Sequence, residues 1–445
     1  MFVGISNTPR DYAWGSKTAI AGLLGTTPSG KPEAEIWLGA HPGSPSVIAD
    51  PSRTGGAGTL VDWILADPER ALGSALAAEE TDAGTVPPRL PFLLKVLAAA
   101  SPLSLQAHPT SERARTGFAL ENAAGIPVDA FDRNYRDQFH KPEIIFALSE
   151  TFEALCGFRE LGEVRRIVAE LRALDAASEN PQPGALDALE SRLLGDTGLR
   201  DTVDWLLRDG RGGDTGEVAW LVERVVSLAK DAVYLAGGGA AIRFPLELAT
   251  VRDLAVAYPG DPGIVISLLT NRVSLKRGEV LYLPAGNIHA YLLGLGIELM
   301  AASDNVLRGG LTPKHIDVDE LLDVLEFSPV PVPYLAPIVH TPGVSEYRPD
   351  VADFALVHIE ASAADAAAPV AGAAPVAGAA PVAGVPMRQF TLTGPGIALC
   401  TAGGFLVAGA TASVALKRGE SVYITPEEGT LTFAGVGDVF LATTP

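Results

Sequence analysis

The spacing of apolar positions changes twice along the chain. Over the first 158 residues apolar residues come in short runs bounded by glycine and proline. Ala34–Gly39 and Lys141–Leu148 predict strands between turns. Ser111–Asn122 predicts a helix, with Ser111 as its N-cap. From 159 to 236 the period becomes helical. Val164, Ile167, Val168, Leu171 and Leu174 recur on one face, with Glu163, Arg165, Arg166, Glu170 and Arg172 between them. Leu186, Leu189 and Leu193, then Val218, Leu221, Val222, Val225 and Val226, repeat that pattern. Clusters of Gly, Pro and Asp at 180–184 and 209–216 punctuate it. The run Gly263-Ile-Val-Ile-Ser-Leu-Leu269 predicts a return to strand.

A ten-residue pattern, Val-x-Leu-Lys-Arg-Gly-Glu-x-x-Tyr, occurs at 273–282 and again at 414–423. Each copy reads as strand, polar turn, strand, and predicts two related β-domains. After the first copy comes Pro284-Ala-Gly-Asn-Ile-His289-Ala-Tyr291; after the second no His follows. One working and one structural β-domain are expected. Ala367-Ala-Pro-Val-Ala-Gly372 recurs at 373–378 and 379–384. Pro and Gly in every unit exclude a helix interior or central strand, and predict a flexible surface loop within an Ala/Pro/Gly-rich stretch at 361–386.

Length and charge narrow the class. With 445 residues the chain has room for two or three domains. Its 33 Lys and Arg against 53 Asp and Glu give a net charge of −20, which argues against nucleic acid and anionic membrane as partners. Two cysteines, Cys156 and Cys400, fit a reducing compartment. The N-terminal residues carry no signal peptide, and no run is long and apolar enough to span a bilayer. A cytoplasmic protein is expected, and the charge is compatible with a monomer.

Candidate chemistry lies in the strand-rich parts. Gln106 and His108, two residues apart on an extended segment, face one side; alone, His108 beside Pro109 also reads as a turn residue. His140-Lys141-Pro142-Glu143 puts an imidazole, an ammonium and a carboxylate within four residues, which a surface turn also explains. His289 ends an apolar strand, as either a ligand or a capped structural histidine. Together Gln106, His108, Glu143 and His289 supply two nitrogens and two oxygens, a set suited to Zn²⁺ with a position open for water or substrate. Glu298 and Asp304 stand near Arg308-Gly-Gly310, where a guanidinium beside glycines suits a phosphate or a local ion pair. Lys95, inside an apolar strand, either snorkels outward or faces a cavity holding an anion.

Seven motifs in order carry a resemblance: Tyr12-Ala-Trp14-Gly15, Ala34-Glu35-Ile-Trp37-Leu-Gly39-Ala-His41-Pro42, Leu90-Pro-Phe-Leu-Leu-Lys95-Val-Leu, Leu103-Ser104-Leu-Gln106-Ala-His108-Pro109, His140-Lys141-Pro-Glu143, Pro284-Ala-Gly-Asn-Ile-His289-Ala-Tyr, and Met300-Ala-Ala-Ser-Asp-Asn-Val-Leu-Arg308-Gly-Gly. Spanning 12–310, they resemble the type I phosphomannose isomerases. The resemblance implies a mainly β fold with a helical insert: two cupin-like jelly-roll domains plus an α-helical domain. The expected boundaries are 1–158 with 259–325 for the catalytic jelly roll, 159–258 for the helical insert, and 326–445 for a C-terminal β-domain without a metal site.

It also implies one Zn²⁺ held by Gln106, His108, Glu143 and His289. Arg308, Lys141, Glu298 and Lys95 match residues of catalysis or substrate binding, Ser104 a serine near the substrate phosphate, and His41, Trp14 and His140 cleft positions. The implied reaction interconverts mannose 6-phosphate and fructose 6-phosphate through a cis-enediol. Lys141 and Glu298 are both candidates for the base, and His41 or His140 for assisting ring opening. The sequence departs from the family pattern at Thr110, at Phe139 and in the 367–384 repeat, none of them a presumed ligand. A metal- and sugar-binding cupin without turnover is the main alternative. An iron-dependent cupin oxygenase is a further one, disfavoured because it wants more imidazole than Gln106 offers.

Overall fold

A computed structural model describes residues 1–82, 87–210, 215–237, 241–367 and 384–445. Its described residues form a nine-stranded and a ten-stranded antiparallel sheet with twelve α-helices. The expected 367–384 loop lies outside the described residues except at its two ends.

The nine-stranded sheet is organised by one long strand, His289–Ala301, which pairs along its first part with Leu105–Ala107 and Thr151–Phe158, and along its second with Phe92–Ala99 and Glu143–Ala147. It thereby closes the sheet around an interior whose apolar end is filled by Leu97, Ile145, Phe152, Val273, Leu275, Leu281 and Tyr291. Strand alternation sends the neighbouring side chains, Leu94, Val96, Ile144, Phe146, Ile297 and Leu299, outward. There they share a core with Tyr347, Phe354, Leu356, Ile397, Leu399 and Phe440 of the ten-stranded sheet. The interior of that second sheet is apolar, packed with Val357, Ile359, Phe405, Val407, Leu431 and Phe433.

Both copies of the repeated pattern form the expected strand–turn–strand. In each, the glutamate of the turn accepts from the lysine amide three residues earlier, Glu279 from Lys276 at 2.8 Å and Glu420 from Lys417 at 2.9 Å. The two arms do not pair with each other. Thr270–Lys276 pairs with Thr151–Phe158, while Val280–Leu283 pairs with Glu143–Ala147.

Three expectations need correction. Gly263–Leu269 is a helix, not a strand. All seven residues are buried, and an apolar run without a polar face does not distinguish a buried helix from a buried strand. The helical region therefore runs from Leu161 to Leu269, past the expected limit of 258. The helix Ser111–Ala123 is capped by Thr110, whose side chain accepts from the Arg113 amide, rather than by Ser111. Finally, Phe2–Ser6 and Val47–Ile48 belong to the ten-stranded sheet, although they fall within 1–158. Phe2 pairs with Ile424 and enters the second core, while Val3 and Ile5 face the shared one. Among the described residues no helix is long and apolar enough to cross a membrane.

Candidate metal centre and substrate cleft

Two rungs of the nine-stranded sheet set the site. On one, Arg308 lies opposite Gln106 and Gln106 opposite His289. On the other, Trp37 lies opposite Lys95 and Lys95 opposite Glu298. Residues opposite one another in an antiparallel pair face the same side, so both rungs aim into the polar end of the barrel. Glu143 joins them from the first position of its strand.

His108 Nε2 stands 3.3 Å from Glu143 Oε1, and His289 Nε2 stands 3.4 Å from Glu143 Oε2. Gln106 Nε2 is 3.3 Å from His289 Nε2; rotating the amide presents its oxygen instead. All three charged or imidazole groups are buried, with ligand atoms within 4.8 Å of one another. His108 Nδ1 lies 2.8 Å from the Asn305 carbonyl and His289 Nδ1 lies 3.0 Å from the Asn287 carbonyl. Each Nδ1–H donates there, so each Nε2 carries a lone pair toward the carboxylate.

Buried lone pairs that face one another repel unless a cation lies between them. His108 Nε2 and Glu143 Oε2 are buried without a hydrogen-bond partner. A proton does not fill the gap: burial first, then Lys141, lowers the His108 imidazole to about 4. Glu143 is held well below the usual carboxylate range: burial opposes this, but Lys141, at 3.1 Å, and His108 outweigh it. Four donors at zinc's usual bond lengths stand about 3.3–3.4 Å apart around a tetrahedral ion. Each imidazole nitrogen stands at that distance from one oxygen of Glu143, and all three ligand atoms lie within 4.8 Å of one another, so the donor types and their spacing fit that metal.

A cleft of about 860 Å³ opens over the centre. Gln106, Glu143, Lys141, Lys95, Glu298, Ser104, Trp14 and Arg308 line it, as does Tyr291. Lys95 Nζ donates to Glu298 at 2.9 Å and stands 3.9 Å from Glu35. Burial would strip its proton, but Glu298, Glu35 and Glu143 prevail and hold it protonated. Glu298 is itself pushed up, by burial against the pull of Lys95, with Glu143 adding to the rise. Both partners shift upward because one ammonium serves several carboxylates. The Tyr291 hydroxyl is buried without a hydrogen-bond partner and is raised by burial and by Glu298 and Glu143.

The outer part of the cleft is cationic. Burial, then Arg136, lowers the Arg308 guanidinium. Burial, then Arg308 and Arg136, lowers the Lys314 ammonium. Among the described residues neither Arg136 nor Arg308 has a carboxylate partner. Like charges held near one another in this way suit an anion. Arg136 comes from an irregular loop tied down by buried Asn305, whose side chain accepts from the Arg136 amide at 2.8 Å and donates to the Asp137 and Phe139 carbonyls. Nothing local in the sequence marks Arg136. Lys314 lies beyond the motif that ends at Gly310, and its only sequence signal is that it follows Arg308 closely along the chain.

Four predicted residues do not line the cleft: His108 and His289, buried beneath it, and His41 and His140. His41 sits behind Trp37, edge-on to its ring, with Nε2 3.4 Å from Asp304, a cleft residue. His140 is turned away: its Nε2 lies 2.7 Å from Asp353, near the ten-stranded sheet, because Pro142 and the strand register send Lys141 and Glu143 inward instead.

Comparison with known proteins agrees with this geometry. Residues 2–161 match the family described as phosphomannose isomerase type I, catalytic domain. Mannose-6-phosphate isomerase of Escherichia coli is 39% identical over 330 residues, covering 73% of this chain and 75% of that protein. The chain belongs to the type I phosphomannose isomerases. The Rattus norvegicus mannose-6-phosphate isomerase is 33% identical over 380 residues, covering 80% of this chain and 81% of its own. A solved zinc-bound mannose 6-phosphate isomerase superposes with a TM-score of 0.79 at 32% identity, over 100% of this chain and 99% of that one. In this phosphomannose isomerase the cleft runs from the His108–Glu143–His289 cluster to the cationic end at Arg308 and Arg136.

Proposed function

We propose that this chain is a zinc-dependent aldose–ketose isomerase that interconverts mannose 6-phosphate and fructose 6-phosphate. One observation carries the reading: the ligand atoms of His108, His289 and Glu143 converge within 4.8 Å of one another, beside a second carboxylate and across a cleft from a cationic cluster. Gln106, His108, Glu143 and His289 hold the ion. Bound there, Zn²⁺ supplies Lewis-acid polarisation of the sugar carbonyl.

The chain's own groups do the rest. Arg308, Arg136, Lys314 and Ser104 hold the phosphate, which supplies binding energy remote from the reacting carbons. Trp14, stacked on Tyr12 with ring centroids 5.7 Å apart, walls the sugar side of the cleft. Glu298 takes the proton from C2 of the open-chain aldose and returns it at C1. A hydroxyl proton passes from O2 to O1, and the ketose results through a cis-enediol. Burial makes the Glu298 carboxylate a stronger base than an ordinary one, which suits it to accept and return a proton. Lys141, paired with Glu143 as Glu298 is paired with Lys95, is the second candidate. His41 assists ring opening through Asp304. His140 ties the catalytic barrel to the C-terminal β-domain instead.

In this reading the second barrel is structural, and the protein works as a cytoplasmic monomer. Buried, unpaired Cys156 and Cys400 support the reducing compartment. The test is a coupled assay of fructose 6-phosphate formation before chelation, after it, and after zinc is returned. Activity should vanish with the metal and recover with zinc; full turnover by chelated, metal-free protein would sink the proposal.

A further inference from the structure

The cationic end of the cleft is held by a residue that does not line it. Leu311 is fully buried and has φ of 53°, and among the described residues no other non-glycine has a positive φ. A side chain in the left-handed region persists only where its surroundings fix it. Here they do so through Asp261, in the loop between the last two helices of the helical region. Asp261 Oδ1 accepts from the Leu311 amide at 2.9 Å and from the Gly263 amide at 2.7 Å; Oδ2 accepts from the Thr312 amide at 3.4 Å. The two segments also touch through backbone, since a Cβ on Gly310 would stand 2.9 Å from Gly263 Cα. The held turn joins Arg308 to Thr312 and Lys314. The same loop is anchored on the opposite wall, where the Tyr258 hydroxyl donates to the Pro102 carbonyl at 2.7 Å, two residues from Ser104.

We infer that Asp261 is a positioning residue for the substrate phosphate, acting through the Gly310–Thr312 turn on Arg308 and Lys314. This rests on reading Arg308, Arg136 and Lys314 as the phosphate site. The helical region is then part of the binding machinery, because its terminal loop spaces the two walls between which the phosphate lies. Without the carboxylate the turn relaxes from its left-handed conformation, and the cations lose their fixed separation from the metal centre. The sugar still reaches the centre, but it binds less often in register.

The test measures KM for mannose 6-phosphate, kcat, zinc content, and the inhibition constant of inorganic phosphate as a competitive ligand. For Asp261→Ala, KM and the phosphate inhibition constant should rise together by about tenfold, with kcat within about threefold of the parent and zinc content unchanged. Asp261→Asn keeps the side chain's volume and an oxygen for the Leu311 amide, and should recover most of the loss. A lowered melting temperature with an unchanged phosphate inhibition constant would mean a merely structural role and would overturn the proposal. So would a fall in kcat alone. If inorganic phosphate fails to compete in the parent protein, the phosphate site itself is misread. If it competes equally in parent and variants, only the role of Asp261 is lost.

Discussion

At the scale of single residues, the site is a set of charges that only one another's presence makes tolerable. Among the described residues Arg308 has no carboxylate partner, so its removal should leave the metal centre untouched. Arg308→Ala is expected to keep full zinc content while kcat/KM for mannose 6-phosphate falls by about 10²-fold or more, as expected when a charge-assisted anchor is lost; metal analysis beside steady-state kinetics checks both. Glu298 gives a pH signature. Its pKa is raised above 4.5, and a base works only when deprotonated. The acid limb of kcat/KM should therefore lie above the ordinary carboxylate range, with activity falling as pH drops through it. Glu298→Gln should cost about 10²–10⁴-fold and flatten that limb. His108, Glu143 and His289, which converge, were legible in the sequence only as a set with Gln106; each motif by itself reads equally as a turn or a structural residue. Arg136 was not legible: its place depends on Asn305, which is far away in sequence.

At the scale of elements, local rules compete with packing. The helix Ser111–Ala123 begins three residues after His108, and its cap, Thr110, satisfies an end amide. Thr110→Ala should cost about 1 kcal/mol in denaturant unfolding, within the range for lost caps. Gly117 tests the competition more sharply. Alanine is the better helix former by about 1 kcal/mol. A Cβ at 117, however, would sit 2.3 Å from the ring of Tyr135. That ring cannot retreat easily, because its hydroxyl bonds Glu320, which also pairs with Arg113. Overpacking costs about 1–3 kcal/mol, so Gly117→Ala should destabilise, and a gain in stability would refute the argument. The helix and its approximate limits were readable from sequence, as were the amphipathic helices from 161 onward. The Gly263–Leu269 helix was not, because burial on every side removes the polar face that betrays a period.

At the scale of the whole molecule, three apolar cores meet along the nine-stranded sheet: its own interior, the core shared with the ten-stranded sheet, and the one that packs the helices on Leu105, Leu155 and Ile288. The shared core has an aromatic centre. Phe146 meets Phe440 at 4.9 Å and Tyr347 at 5.5 Å between ring centroids, and His358 stacks on Phe440 at 4.6 Å. Phe440→Ala should cost about 3–5 kcal/mol, the usual range for a buried phenylalanine. Because the cavity lies between the sheets, their unfolding should also separate into two transitions by calorimetry. The two-barrel plan was legible from the repeated ten-residue pattern. The path of the chain between the sheets was not, since a strand such as Phe2–Ser6 carries no mark of which sheet it will join.

That strand has a consequence for synthesis. Its partner, Ser421–Ile424, is made more than four hundred residues later, a delay of roughly 20–85 s at translation rates of about 5–20 residues per second. Throughout that interval only Val47–Ile48 is at hand to pair with Ile5 and Ser6, and the edge carrying Phe2 and Val3 waits unpaired.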